Sequence, residues 1–216
     1  MKASPHLVQP PQQARSRETM TQILDAAARI LETKTFEDLT LTEIVQQAGT
    51  SVGAFYGRFK DKEGLLHALD ERFFEEFERG VQDLLSRPGW SQAPLGQVVR
   101  DLTCFLAQTY ERQKGLLRSL NLKARLYGDS RFKERERRAW DELFPQFQDI
   151  LLRRADEIRH PNPALAVTLG FQQLFFALRE ILLWEPLRGG QPYDMDVLVD
   201  ELSRAYLAYL GIQEEA

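Results

Sequence analysis

Apolar residues recur at helical spacing along most of the chain, and nowhere do they alternate as a half-buried strand requires. Met20, Ile23, Leu24, Ala27 and Leu31 form one stripe, predicting a helix from about Ser16 to Thr33. Leu41, Ile44, Val45 and Ala48 fall at i, i+3, i+4 and i+7, and Phe55 and Phe59 one turn apart give a short following helix its core side. Leu66, Leu69, Phe73, Phe77, Val81 and Leu84 mark a long helix from Asp61 to about Leu85, ended by Arg87-Pro88-Gly89. Residues 90–94 read as a loop. Helices follow over about 95–113 and 115–127, then a charged stretch over 131–158 that Pro145 should kink or split.

After His160-Pro161-Asn162-Pro163, the segment from Ala164 to Trp184 is oily on two sides. Val167, Phe171, Leu174, Leu178 and Ile181 make one seam; Leu165, Leu169, Phe176 and Leu183 make another. Such a helix is central to a bundle or shared with a partner. The last helix, from about Asp194 to Leu210, carries Met195, Leu198, Leu202, Tyr206 and Tyr209 on one side. The predicted class is all-α: a small N-terminal helical domain over 15–62, a larger bundle over 63–216, and a Pro- and Gln-rich arm over 1–14 read as disordered.

The 39–62 stretch carries the most specific chemistry. Thr40 and Glu43 have the spacing of a capping box. Gly49 stands where a helix C-terminus favours positive φ, and Ser51 can cap the next helix. Two short helices around a tight glycine turn form a helix-turn-helix pattern. Gly53, Ala54 and Gly57 leave the second helix bare, although glycine costs about 1 kcal/mol there relative to alanine. Close approach to a duplex would explain them, with Ser51, Tyr56, Arg58 and Lys62 as donors to phosphate. A helical hairpin with a solvated face fits the same spacing.

Charge changes this picture only when it is divided. The 216-residue chain has a net charge of −4. Up to Lys62, eight Lys and Arg face seven Asp and Glu; beyond it, 20 face 25. The acidity belongs to the C-terminal part, and a DNA reader needs only a local basic patch, here Arg15, Arg17, Arg58, Lys60 and Lys62. The single cysteine, Cys104, excludes an intrachain disulfide and suits a reducing cytosol. Enzyme chemistry is poorly supplied. One E-x-x-H spacing, Glu157 to His160, ends at Pro161, so a di-iron site lacks its second pair. Three histidines and one cysteine support neither a zinc site nor a Cys/His nucleophile. No metal, cofactor or catalytic residue is expected, and neither a membrane span nor a signal peptide is read.

The segment from about Arg17 to Leu69 resembles the DNA-binding domain of the TetR (tetracycline repressor-like) family of bacterial transcription regulators. Ile23, Ala26, Ala27, Leu31, Phe36 and Thr40 carry the likeness first. Thr42, Ile44, Ala48, Gly49, Ser51, Gly53, Tyr56 and Phe59 follow, then Lys62, Glu63 and Leu65. Thr35, Val45 and Thr50 depart from the usual Gly, Ala and Val.

The resemblance implies a cytoplasmic homodimer that binds a palindromic operator and is released by a small apolar or aromatic effector, most often as a repressor. On DNA it implies Arg17, Thr40 and Thr42 near the backbone, and Thr50 and Ser51 opening the recognition helix. Val52, Gly53 and Ala54 would face the groove. Tyr56, Arg58 and Lys62 would hold phosphate, with Arg58 also able to read guanine, and Gly57 stands where many relatives carry a larger residue. The implied dimer interface uses Val167, Phe171, Leu174 and Leu178 with Leu198, Leu202, Tyr206 and Tyr209; the alternative keeps these seams inside a monomeric bundle. Phe105, Tyr110, Tyr127, Trp140, Phe144, Gln172 and Phe175 are candidate effector-pocket residues, although plain core is the commoner role for such side chains. Gln172, Gln173, Arg179 and Glu180 are polar on an oily helix, suited to orienting a ligand or to a dimer rim.

Overall fold

A computed structural model describes residues 14–126, 130–184 and 193–212. The arm expected over 1–14 lies almost wholly outside them. Ten α-helices occur among the described residues: α1 Ala14–Leu31, α2 Leu41–Gln47, α3 Val52–Tyr56, α4 Lys62–Leu85, α5 Leu95–Arg112, α6 Lys114–Leu126, α7 Ser130–Glu142, α8 Phe144–Leu152, α9 Pro163–Leu183 and α10 Met195–Leu210. No strand is among them, so the all-α class holds. The helical stretch expected over 131–158, with a kink or split at Pro145, is split, and Pro145 lies in the first turn of α8, where its missing amide is no loss. The loop expected at 90–94 contains a 3₁₀ turn, Trp90–Gln92. Trp90 is buried there, and its indole donates to Asp101 Oδ2 at 3.0 Å.

The chain divides into two compact units, residues 1–76 with 113–128, and 77–112 with 129–216. The boundary read at Lys62 marks the start of α4, and the first unit continues past it. Two features extend that unit. Leu65, Leu66 and Leu69 of α4 are fully buried, and Arg72 pairs with Asp25 of α1 at 2.5 Å. Gly115 of α6 lies directly on the end of α1: a Cβ there would overlap Leu31 C and O and stand 2.7 Å from Glu32 N. Lys123, two turns along α6, pairs with Glu63 at 2.8 Å and Glu37 at 3.3 Å and lies 4.7 Å from the Phe36 ring centre. Burial alone would lower the Lys123 pKa, but its bonds to Glu63 and Glu37 hold the ammonium above its ordinary value.

In the second unit α5, α9 and α10 pack against one another, and α8 packs on α9. Close approach is specified by small residues. A Cβ at Gly170 would overlap the Tyr206 ring, and Tyr206 donates its hydroxyl to Val167 O at 2.8 Å. Gly211 adopts φ 74°, with Gly211 N on Ala208 O and Ile212 N on Leu207 O ending α10. By length and composition alone α9 is apolar enough to cross a bilayer, but its buried positions are filled by neighbouring helices of this unit.

That packing covers most of the seam expected to face a partner. Val167, Phe171, Leu174, Leu178, Leu198 and Tyr206 are buried within the chain itself, and Leu202 and Tyr209 are half-buried. Side chains already removed from water have little area left to give a partner. The apolar surface left open on α9 belongs to the other seam: Leu165 is 51% exposed, Leu169 37% and Phe176 46%, with Val197 of α10 also exposed. Leu183, the fourth member of that seam, is buried. Periodicity could count two oily sides but could not say which one the chain covers itself.

Candidate nucleic-acid interface

The helix-turn-helix is built from local hydrogen bonds. Thr40 Oγ1 accepts from Glu43 N at 3.3 Å and donates to Glu43 Oε2 at 2.8 Å, while Thr40 N donates to the same carboxylate at 3.2 Å, completing the capping box. At the other end of α2, Thr50 N donates to Val45 O at 2.9 Å and Gly49 N to Gln46 O at 3.2 Å. These are the two bonds of a Schellman motif, closed by Gly49 at φ 62°. Ser51 Oγ then accepts from Ala54 N at 3.1 Å to start α3. Phe55 and Phe59 are buried, their ring centres 5.3 Å apart. Burial of each contributes roughly 1.5–3 kcal/mol toward holding α3 in place.

The capping carboxylate also pairs with Lys34. The hydrogen bond from Lys34, then those from Thr40, hold the Glu43 carboxyl down at about 2, against an ordinary value of 4.5. A depressed carboxylate stabilises the fold above its unfolded pKa, and that contribution is lost as pH falls through the folded value. The acid limb of stability between pH 4.5 and 2 should therefore be flatter in Glu43→Gln than in the parent. The difference should shrink with added salt, because the pair is exposed. Thermal melts across that range at two salt concentrations check this, and parallel limbs would count against it.

With Phe55 and Phe59 turned inward, the opposite side of α3 faces water. Val52 is 46% and Tyr56 56% exposed, unusual for side chains of their size. Gly53 and Gly57 are exposed beside them, as are Thr42 on α2 and Arg17 on α1; Ala54 and Thr50 are half-buried. Among the described residues, nothing requires the two glycines. A Cβ at Gly53 would meet only Ser51 Oγ, at 3.9 Å, and one at Gly57 would make ordinary contacts of 3.4 and 3.7 Å with helix carbonyls.

Two expected phosphate holders are bonded within the chain. Arg58 donates Nη1 to Ala54 O at 2.7 Å, Nε to Ser16 O at 3.2 Å and Nη2 to Ser16 Oγ at 3.4 Å. Lys62 Nζ donates to the carbonyls of Leu39 at 2.6 Å, Phe36 at 3.1 Å and Glu37 at 3.2 Å. All three ammonium donors are thereby used, and Lys62 ties the α1–α2 connection to the start of α4. Both positions have a basic residue in a basic neighbourhood, and sequence alone cannot separate a phosphate donor from a carbonyl staple. Lys62→Met keeps the aliphatic stem and removes the donors. It should cost about 2 kcal/mol, since bonds from a charged donor are worth more than neutral ones. Urea denaturation measures this, and an unchanged midpoint would show the three bonds to be idle.

In the second unit, most of the candidate effector-pocket side chains do come together. Phe175 of α9 stands between Tyr110 of α5, with ring centres 5.8 Å apart, and Trp140 of α7 at 4.8 Å. Phe144 of α8 stacks on Phe171 at 4.4 Å. Phe105 does not join them; it stacks on Phe77 at 5.6 Å and fits over Gly80. Gln172 is half-buried, and Tyr127 lies outside the described residues.

The family of bacterial regulatory proteins known as the tetR family matches residues 23–69, the segment that folds into the helix-turn-helix and its supports. Residues 23–69 thus form a TetR-family DNA-binding domain. The chain's relatives agree over a longer span. A nucleoid occlusion factor, SlmA, of Marinomonas sp. (strain MWYL1) is 27% identical over 151 residues, 68% of this chain and 72% of that protein. The TetR-family regulator PfmR from Thermus thermophilus superposes with a TM-score of 0.61 at 19% identity, over 89% of this chain and 99% of that one. A gamma-butyrolactone receptor described as ArpA-like superposes at 0.54 with 26% identity, over 91% and 99%. The chain thus carries the DNA-binding unit of a transcriptional regulator. Members of the family bind DNA, typically as dimers.

Proposed function

We propose that the chain is a cytoplasmic, ligand-responsive repressor that binds a palindromic operator as a homodimer. The observation that carries this reading is the bare outer side of α3, where Gly53 and Gly57 are open to solvent and unexplained by internal packing. A surface shaved of side chains lets a backbone come close to a base edge or phosphate. Val52 beside it is suited to a thymine methyl, and Tyr56, Thr42 and Arg17 to the sugar-phosphate backbone. One such helix touches too few bases to specify a site, and a two-fold pair solves this by reading half-sites about 34 Å apart or a multiple of it. The open apolar positions on α9 and α10 are the surface for that pairing.

Small-molecule control is supported by the aromatic cluster of the second unit and by the likeness to a gamma-butyrolactone receptor. An effector releases DNA only if it binds the DNA-incompetent arrangement more tightly than the competent one. Selection of duplexes from a random pool at low salt tests the reading. An inverted repeat should be enriched, and sedimentation should give a dimer. A monomer that ignores every duplex would overturn it.

A further inference from the structure

Among the described residues, Arg179 is the one cation set within the aromatic cluster of α5, α7 and α9. It lies one turn beyond Phe175, its side chain only 12% exposed, with the guanidinium carbon 4.9 Å from the Phe176 ring centre. A guanidinium offers five donors in a rigid fork. Here Nη1 reaches Glu136 Oε1 of α7 in a single contact of 3.4 Å, and the buried Nε has no acceptor among the described residues. A purely structural Arg–carboxylate tie is normally shorter and two-pronged, at about 2.7–2.9 Å. A buried donor without a partner is costly, and in native proteins it calls for an explanation such as a ligand. Close by, burial pushes the Tyr110 phenol up, with Arg179 acting to lower it and Glu136 to raise it. Tyr110 is therefore a neutral hydroxyl at physiological pH.

Resting on the reading of this chain as ligand-responsive, we infer that Arg179 is the anion-recognising group of the effector site and that the effector is a flat, apolar carboxylic acid. The carboxylate takes the guanidinium in two parallel bonds, from the Nε that Glu136 leaves idle and from Nη2 on the same edge of the fork, beside the Nη1 that Glu136 holds. The flat body lies among Trp140, Phe144 and Phe175, half-buried rings that can take another ring edge-on or offset at the 4.5–7 Å such pairs prefer. A neutral isostere meets the same rings but leaves the fork unsatisfied. Because Glu136 and the ligand place two carboxylates on one cation, acid binding also weakens the tie of α7 to α9 at this point.

Calorimetry on the full-length chain with 1-naphthoate, 1-naphthamide and octanoate tests this. Naphthoate should bind at least about tenfold more tightly than the amide, the difference of one charged bond. Arg179→Gln should lose that preference and bind acid and amide alike. Glu136→Gln should bind naphthoate several-fold more tightly, since the second carboxylate is gone; a merely structural pair predicts no gain. Equal binding of acid and amide, an unaltered Arg179→Gln, or no tightening in Glu136→Gln would overturn the assignment of Arg179. Octanoate binding as tightly as naphthoate would overturn the flat body. Duplex binding with no acid bound sinks this inference alone, whereas a chain that binds no duplex sinks the regulator reading itself.

Discussion

Gly115→Ala is expected to cost about 3 kcal/mol, the upper end of what an inserted methyl does in a packed interior. The obstacle is main chain. The new Cβ would enter the space of Leu31 C and O and stand 2.7 Å from Glu32 N, and none of these atoms can rotate away as a side chain would. Either α6 backs off or the last turn of α1 frays. Withdrawal also pulls Lys123 from Glu37, Glu63 and the Phe36 ring, so the loss spreads along α6. Alanine's better helix propensity offsets at most about 1 kcal/mol. For a chain of this length the melting temperature should fall by roughly 6–12 °C. A variant that melts with the parent would mean that α6 and α1 are not in the contact described.

The helix-turn-helix was legible because its signals are local. Thr40, Glu43, Gly49 and Ser51 act on backbone groups three to five residues away, so spacing alone specifies their bonds. Helix ends were legible for the same reason: Asn162 Oδ1 accepts from Leu165 N, and Asp194 Oδ1 from Asp196 N and Val197 N. What the sequence hid was long-range. Arg58 reaches back 42 residues to Ser16, and Lys62 reaches 23 to 26 residues to three carbonyls. Nothing in their surroundings marks them as structural. Gly115 likewise resembles any glycine near a helix start until α1 is placed beneath it. The two seams of α9 were readable as seams, yet which one faces its own chain depends on where α5 and α10 lie. Arg179 was visible as a charge on an oily helix, but its single weak contact was not.

Gly53→Leu should separate folding from DNA binding more cleanly than any other change in α3. Gly53 is in the first turn of the helix, exposed, with nothing within 3.9 Å of a Cβ position. Leucine there removes a flexible residue from the unfolded chain and gains helix propensity, so the free protein should be as stable as the parent or better by up to about 1 kcal/mol. On a duplex the outcome reverses. A surface kept bare so that backbone can approach a groove now carries four extra carbons, and the recognition helix must stand off or tilt. Losing even two or three groove and phosphate contacts amounts to roughly 2.7 kcal/mol, a hundredfold in affinity. Gly49→Leu is the contrasting control. Its φ of 62° makes any side chain strained, so stability and binding should fall together. Parallel melts and titrations on a selected operator decide the matter: a Gly53→Leu protein that binds as tightly as the parent would place the duplex on some other surface, leaving the two bare glycines of α3 without a purpose.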